Sequence, residues 1–420
     1  MSILGHRDYL VLDTVHGADV LADRLGRLGC NSEAINPYRG EKRDVTSYDA
    51  LISPVHMYPS CSMLVDAIEN DIPVYSHHAA TRDIITELGY LGDVGRCVEV
   101  TGTVGKTSCS LLLLKMLNKE GIETVVHSSN GLYHNQLDNR VAQYSVAPYG
   151  TILALEKAIE LDLTPDTWIS EFSIGFTGIG DIATLTSQDQ DYLIANKTKK
   201  ASDTKIESIK NLQPTTLLNT PNLDESDNKA TDLEVEYKNN NNLKINYEVN
   251  KLTGETNKGT VDCELQLYPY FKDSVRMAII TAASLNCSPQ TINQILNRFK
   301  GVPGRMKKKK VQGRKFIDNS CAGTRVSSLN QYLQELQNQM NDLMDVVVLV
   351  GEDEQNICEE MDLEEVQKTV KKHRFKELIT VGQKYSELGH NVNDVEEAIE
   401  LAIQLSKPGD KILNFVKTWR

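Results

Sequence analysis

Long apolar runs are missing from this chain, and so is any pair of cysteines spaced C-x-x-C. A bilayer-spanning helix needs about 20 apolar residues in a row, so none is expected. The eight cysteines are scattered, which fits reduced thiols in a cytosol better than disulfides or a zinc site. Positive charge is also scarce. Lys and Arg number 45 against 58 Asp and Glu, a net charge of −13. Nothing is left over to neutralise a phosphate backbone or an anionic membrane, so neither nucleic acid nor membrane is expected as a partner. The first residues reach Asp8 and Asp13 without an apolar run, so no secretory signal is expected and the expected location is the cytoplasm. What remains is an ordinary globular composition, 40% hydrophobic and 25% charged over 420 residues. That is too long for one core, and two or three domains are expected.

The most informative stretch lies at 98–108. Short β-branched residues run into Gly102-Thr103-Val104-Gly105-Lys106-Thr107-Ser108, and an apolar helix follows until Gly121. Strand, tight loop and helix N-terminus together bind phosphate, because exposed backbone N–H groups and the helix dipole face the anion. Gly102 and Gly105 let the backbone approach closely, Lys106 can reach terminal phosphates, and Thr107 can hold a magnesium ion. The full P-loop spacing would place a further glycine where Val100 stands. This is a shortened form.

Elsewhere strand and helix alternate. In 1–92, strands at 9–13, 50–53 and 72–75 with helices at 19–28 and 63–68 predict a small parallel sheet with helices on its faces. Ligands of such sheets sit beyond the carboxyl ends of the strands. His16, His56 and the pair His77-His78 fall there. They read as a metal site or as a polar rim for a large substrate, and the rim is preferred because adjacent strand-end histidines point to opposite sides. In 93–300, the apolar strand at 168–172 carries Glu171 near its end, a candidate magnesium ligand because hard cations take carboxylate oxygens. Residues 221–261, rich in Asn, Asp, Lys and Thr, predict hairpins, and 272–285 predicts a helix. In 301–420, strands at 346–350, 378–381 and 412–416 separated by helices predict a further doubly wound α/β unit. Lys307 to Lys310 form a basic run that is either a solvated face or an attraction for a polycarboxylate.

The loop Thr101-Gly102-Thr103-Val104-Gly105-Lys106-Thr107 resembles the Thr-Gly-Thr-x-Gly-Lys-Thr loop of the Mur ligase family. Gly301-Val302-Pro303-Gly304-Arg305-Met306 resembles that family's hinge. The resemblance implies a three-domain α/β architecture: a Rossmann-like substrate domain at 1–92, a P-loop ATPase domain at 93–300, and a Rossmann-like domain at 301–420 that closes over ATP. It implies ATP and Mg2+ as cofactors, with Gly102, Thr103, Gly105, Lys106, Thr107 and Ser108 on the phosphates and Thr107 and Glu171 on the metal. Arg305 would reach phosphate, Asp318 would lie near the ribose, and Lys205 would become carbamylated and bridge to magnesium. Lys106, Lys205 and Glu171 are the catalytic candidates. Two positions depart from the family pattern. Gln190 stands where a histidine usually helps hold a second magnesium, so that site is expected to be weakened or lost. Phe271 and Lys272 stand where a His-Asn pair is common.

Residues 12–17 (Leu-Asp-Thr-Val-His-Gly), 53–56 (Ser-Pro-Val-His), 171–178 (Glu-Phe-Ser-Ile-Gly-Phe-Thr-Gly) and 416–420 (Val-Lys-Thr-Trp-Arg) are similar to archaeal members of the family that complete coenzyme F-430, the nickel tetrapyrrole of methanogenesis. That likeness implies a nickel tetrapyrrole carboxylic acid as substrate. A propionate would be activated as an acyl phosphate, and a ring carbon would close on it to give a ketone. The alternatives are an amide ligase adding an amino acid to a cell-wall peptide (pseudomurein) or a cofactor, and a nucleotide-binding switch without ligase chemistry.

Overall fold

A computed structural model describes residues 3–188, 191–220, 238–239, 245–248, 251–256, 258–264, 272–299, 301–302, 304–340, 342–353 and 360–418. It divides into two compact units, Met1–Arg298 and Phe299–Arg420.

The first unit begins with a four-stranded parallel sheet. Its strands are β1 (Asp8–Leu12), β2 (Asn31–Ile35), β3 (Ala50–Ser53) and β4 (Val74–Ser76), in the order β2-β1-β3-β4. Helix α1 (Ala18–Arg27) connects β1 to β2, α2 (Ser62–Glu69) connects β3 to β4, and α3 (His77–Glu87) follows β4 and leads on to the central sheet. The first of these is helical for a plain reason: Ala18, Leu21, Ala22 and Leu25 fall on one stripe and are buried.

The central sheet contains, among the described residues, β5 (Arg96–Thr101), β6 (Thr124–Ser128), β7 (Gly131–His134), β8 (Arg140–Ala142), β9 (Thr167–Glu171), β10 (Ile182–Leu185), and the two further strands Leu217–Asn219 and Lys238–Asn239. From one edge to the other, Lys238–Asn239 and Leu217–Asn219 are followed by β10, β5, β9, β6, β7 and β8. All pairings are parallel except β6–β7 and β7–β8. Helices α4 (Lys106–Glu120), α5 (Pro148–Glu160), α6 (Ala201–Glu207), α7 (Lys272–Ser284) and α8 (Pro289–Leu296) belong to this part. Strands Ile245–Glu248, Lys251–Thr256 and Gly259–Glu264 form an antiparallel sheet, in keeping with the hairpins expected there.

One apolar core runs from the first sheet to the central one, joining Tyr9, Val11, Ala50 and Ile52 to Val125, Ile152, Leu155 and Trp168. A two-pronged ion pair reinforces it. Arg24 Nε and Nη2 donate to Glu156 at 2.8 and 2.6 Å, and the Tyr90 hydroxyl donates to the same carboxylate at 2.7 Å.

The second unit is a six-stranded sheet among the described residues. Its order is Lys307–Val311, Arg314–Asp318, Lys411–Lys417, Leu343–Glu352, Phe375–Val381, His390–Val392. Only the pairing of Lys307–Val311 is antiparallel. Helices Val326–Gln339, Leu363–Lys372 and Val395–Leu405 accompany it. This is the mixed α/β architecture expected from the sequence.

One expectation changes. His77 and His78 open α3 directly after β4 and both are buried, so they form no exposed polar rim. Asp189, Gln190, Phe271 and Pro303 lie outside the described residues, as does most of the segment 221–244. Among the described residues, no helix is long and apolar enough to cross a membrane.

Candidate active site

The phosphate loop is built between β5 and α4. Gly102, at φ +148°, has no room for a side chain: a Cβ would lie 2.2 Å from Thr186 Oγ1 and 2.9 Å from the Ser187 nitrogen. Such close backbone approach is available to glycine alone. The Thr103 N–H and hydroxyl both donate to the Ser187 carbonyl, at 3.0 and 3.2 Å, and the Thr186 hydroxyl donates to the Val104 carbonyl at 2.7 Å. The loop is thus stapled to the chain leaving β10. Gly105, at φ +83°, precedes the first turn of α4 and abuts Ser274 on α7, whose Oγ would be 2.0 Å from a Cβ. Lys106 folds back over the loop and donates from Nζ to the Gly102 carbonyl at 2.9 Å. Ser108, one residue past Thr107, is buried.

Thr107 and Glu171 come together as expected. The Thr107 hydroxyl donates to Glu171 Oε1 at 3.0 Å and lies 2.9 Å from Ser129 Oγ. The Ser129 N–H donates to Glu171 Oε2 at 3.0 Å. Carboxylate and hydroxyl oxygens converge at the carboxyl end of β9, directly beside the first turn of α4. This hard oxygen set fits a divalent cation. Ser129 was not singled out in the sequence, because serine after a strand carries no distinctive signal.

Glu99 was missed as well. It sits mid-strand in β5, fully buried, and accepts the N–H groups of Thr177, Gly178 and Gly180 at 2.6, 2.9 and 2.9 Å and the Thr177 hydroxyl at 3.0 Å. Burial pushes its pKa up and these donors pull against it, leaving a net rise. One buried carboxylate therefore shapes the glycine-rich loop after β9. Its signal in the sequence was a lone acid between Val98 and Val100, a charge that requires donors if buried.

Lys205 lies on α6, almost completely buried. Its Nζ donates to the Tyr192 hydroxyl at 3.2 Å and stands 4.9 Å from that ring's centroid. His78 feels its charge: burial first, then neighbouring charges that include Lys205, pushes the His78 pKa down to about 3. His77 Nε2 donates to the Leu12 carbonyl at 2.9 Å, and burial lowers its pKa to about 4. His16 and His56, by contrast, remain partly exposed at the carboxyl ends of β1 and β3.

Arg305 and Asp318 belong to the second unit. Arg305 Nη1 donates to the Gly304 carbonyl at 3.4 Å. Asp318 ends strand Arg314–Asp318, is buried, and accepts the Ser320 hydroxyl and N–H at 2.5 and 3.3 Å.

Solved structures that share this fold include a cell-wall peptide ligase and a folylpolyglutamate synthase. The chain matches the Acinetobacter baumannii UDP-N-acetylmuramoylalanyl-D-glutamyl-2,6-diaminopimelate–D-alanyl-D-alanyl ligase with a TM-score of 0.57 and 15% identity, covering 83% of this chain and 78% of that one. It matches the Yersinia pestis bifunctional folylpolyglutamate synthase/dihydrofolate synthase, complexed with AMPPNP and Mn ion, with a TM-score of 0.60 and 16% identity over 81% of this chain and 90% of that one. The chain thus has the fold of Mur ligases and folylpolyglutamate synthases, with a phosphate loop at its site. At closer range the chain is similar to coenzyme F(430) synthetase of Methanosarcina acetivorans, 28% identical over 98% of each chain. Residues 308–418 match the family described as coenzyme F430 synthetase CfbE, C-terminal domain.

Proposed function

We propose that this chain activates a propionate of a nickel seco-tetrapyrrole acid as an acyl phosphate and closes a ring carbon onto it, releasing ADP and phosphate. The observation that carries the reading is similarity to a coenzyme F(430) synthetase over nearly the whole of both chains. The proposed division of labour is 1–92 for the substrate, 93–300 for ATP and 301–420 as the domain that closes.

In this reading the N–H groups from Gly102 to Ser108 cradle the phosphates, with the positive end of α4 behind them. Lys106 leaves the Gly102 carbonyl to meet the terminal phosphate. Thr107 and Glu171 would hold Mg2+, which would offset charge on the transferring phosphoryl group. Lys205 is assigned as the carbamylated lysine, and Arg305 and Asp318 as nucleotide contacts, by the family resemblance. A carboxylate oxygen attacks the γ-phosphorus and ADP leaves. The ring carbon then gives up its proton and attacks the acyl carbon, and phosphate departs with the original carboxylate oxygen. Because that carbon is already tethered near the carboxyl, the closure enjoys a high effective concentration and needs no second substrate.

The fold neighbours named as ligases keep one alternative open, an amide ligase that joins an amino acid to its substrate. ADP release separates the two. The proposal predicts that the seco tetrapyrrole alone stimulates ADP formation, with ring closure visible in its absorption spectrum. ADP that forms only with an added amino acid, and without response to the tetrapyrrole, would replace it with the amide-ligase reading.

A further inference from the structure

At the carboxyl end of the first sheet, three metal-ligating side chains converge. Asp13 follows β1, His16 ends the short turn Thr14–His16, and His56 follows β3. Asp13 Oδ2 lies 2.6 Å from His16 Nδ1 and 3.4 Å from His56 Nε2, and the two nitrogens are 3.3 Å apart. Among the described residues this is the group of three such side chains whose ligand atoms gather within metal-binding reach. Bonds of about 2.0–2.1 Å from one metal ion place neighbouring donor atoms roughly 3.0–3.4 Å apart. Two edges of the triangle already have that length, and the third needs to open by only a few tenths of an ångström.

The carboxylate is fixed for the task by the backbone around it. Asp13 is fully buried and held at φ +83°, ψ +77°, a conformation a non-glycine residue adopts at a cost. Its Oδ1 accepts the N–H groups of Val15 and His16 at 3.1 and 3.2 Å, which leaves Oδ2 turned towards the imidazoles. Holding one carboxylate oxygen by backbone donors while the other faces outward is how outer-sphere contacts orient metal ligands. The imidazoles meet edge to face with centroids 4.5 Å apart, and their side chains are 41% and 23% exposed. One side of the group is therefore open to solvent.

We propose that Asp13, His16 and His56 form a binding site for a divalent transition-metal ion, separate from the cation of the nucleotide. Two imidazoles and a carboxylate suit ions such as Zn2+, Co2+ or Ni2+ better than Mg2+, which prefers oxygen alone. The site is distinct from the nickel of a tetrapyrrole substrate. A macrocycle fills four positions of its metal and leaves one axial position on each face, so it can take one of these donors but not three converging ones. The inference therefore stands whether or not the substrate assignment does.

The test is titration of the full-length, chelator-treated protein with Co2+ in the absence of nucleotide, followed by visible absorption and by calorimetry with Zn2+. The expected result is one saturable site that persists in Glu171→Gln. Binding should weaken by about tenfold or more in His16→Gln and in His56→Gln, with unchanged circular dichroism. Should a folded His16→Gln variant be unobtainable, His56→Gln, at a position that β3 and α2 flank but whose ring is partly exposed, carries the same comparison. Absence of saturable Co2+ binding in the unsubstituted protein would overturn the proposal, leaving a hydrogen-bonded cluster that stiffens the loop. So would binding that neither substitution alters.

Discussion

Lys106 contributes one charge, and in the structure that charge rests on the Gly102 carbonyl at 2.9 Å. The contact is local, so removing it leaves the loop's other staples through Thr103 and Thr186 in place. Lys106→Ala is expected to leave the thermal transition nearly unchanged and to cost roughly 3 kcal/mol or more in transition-state stabilisation, seen as loss of ADP formation. A folded Lys106→Ala protein with full activity would contradict the assigned role. Lys106, Thr107 and Glu171 were legible in the sequence because the phosphate loop has fixed spacing and because a carboxylate ending an apolar strand faces the loop's side of the sheet. Ser129 and Glu99 were not. A backbone N–H from Ser129 and the donors from 177–180 reach their carboxylates across long sequence separations, which no local pattern records.

Elements show the same division. Strands β1, β3 and β9 and helices α1 and α4 carry clean apolar patterns and lie where the sequence predicts them, within a residue or a few. Strand β2 was missed: it is an edge strand, mostly half-exposed, and needs no apolar alternation. Helix α3 was hidden because it begins directly after β4 with two histidines, and its start depends on the Ser76 hydroxyl accepting the Ala79 N–H at 3.1 Å. The loop after β9 depends on Glu99 in a comparable way. Glu99→Leu leaves the N–H groups of Thr177, Gly178 and Gly180 without their acceptor, and each buried donor so stranded costs about 1–3 kcal/mol. A large drop in the urea midpoint is expected, whereas Glu99→Gln, which keeps a carbonyl acceptor, should lose less. Equal losses in the two variants would show that the contacts do not organise the loop.

Across the whole molecule, periodicity told which faces are apolar but not what they meet. The first 92 residues read as a substrate domain; within Met1–Arg298 one set of their apolar residues shares a core with the central sheet, and another, around Leu10, Leu12, Ile35 and Met63, packs among itself. Stability of this unit should depend on pH through His127 on β6, fully buried with Nδ1 3.3 Å from Thr151 Oγ1 on α5. Burial lowers its pKa from 6.5 to about 4. Between those values the unfolded chain binds a proton that the folded one refuses, so stability is complete above pH 6.5 and is lost as pH falls towards 4. The slope from one such group is at most about 1.4 kcal/mol per pH unit. Urea unfolding of His127→Gln should show a shallower decline over this window than the unsubstituted chain; an identical slope would contradict the assignment.

The central claim is carboxylate activation followed by carbon–carbon closure, and one single-turnover experiment tests it most directly. The seco tetrapyrrole is supplied with 18O in its propionate carboxyl, together with ATP and magnesium and no amine. The account predicts one labelled oxygen in each phosphate released, and a tetrapyrrole product lighter by one molecule of water, formed in equal amount to ADP. Unlabelled phosphate, or a tetrapyrrole of unchanged mass after ADP has formed, would contradict it.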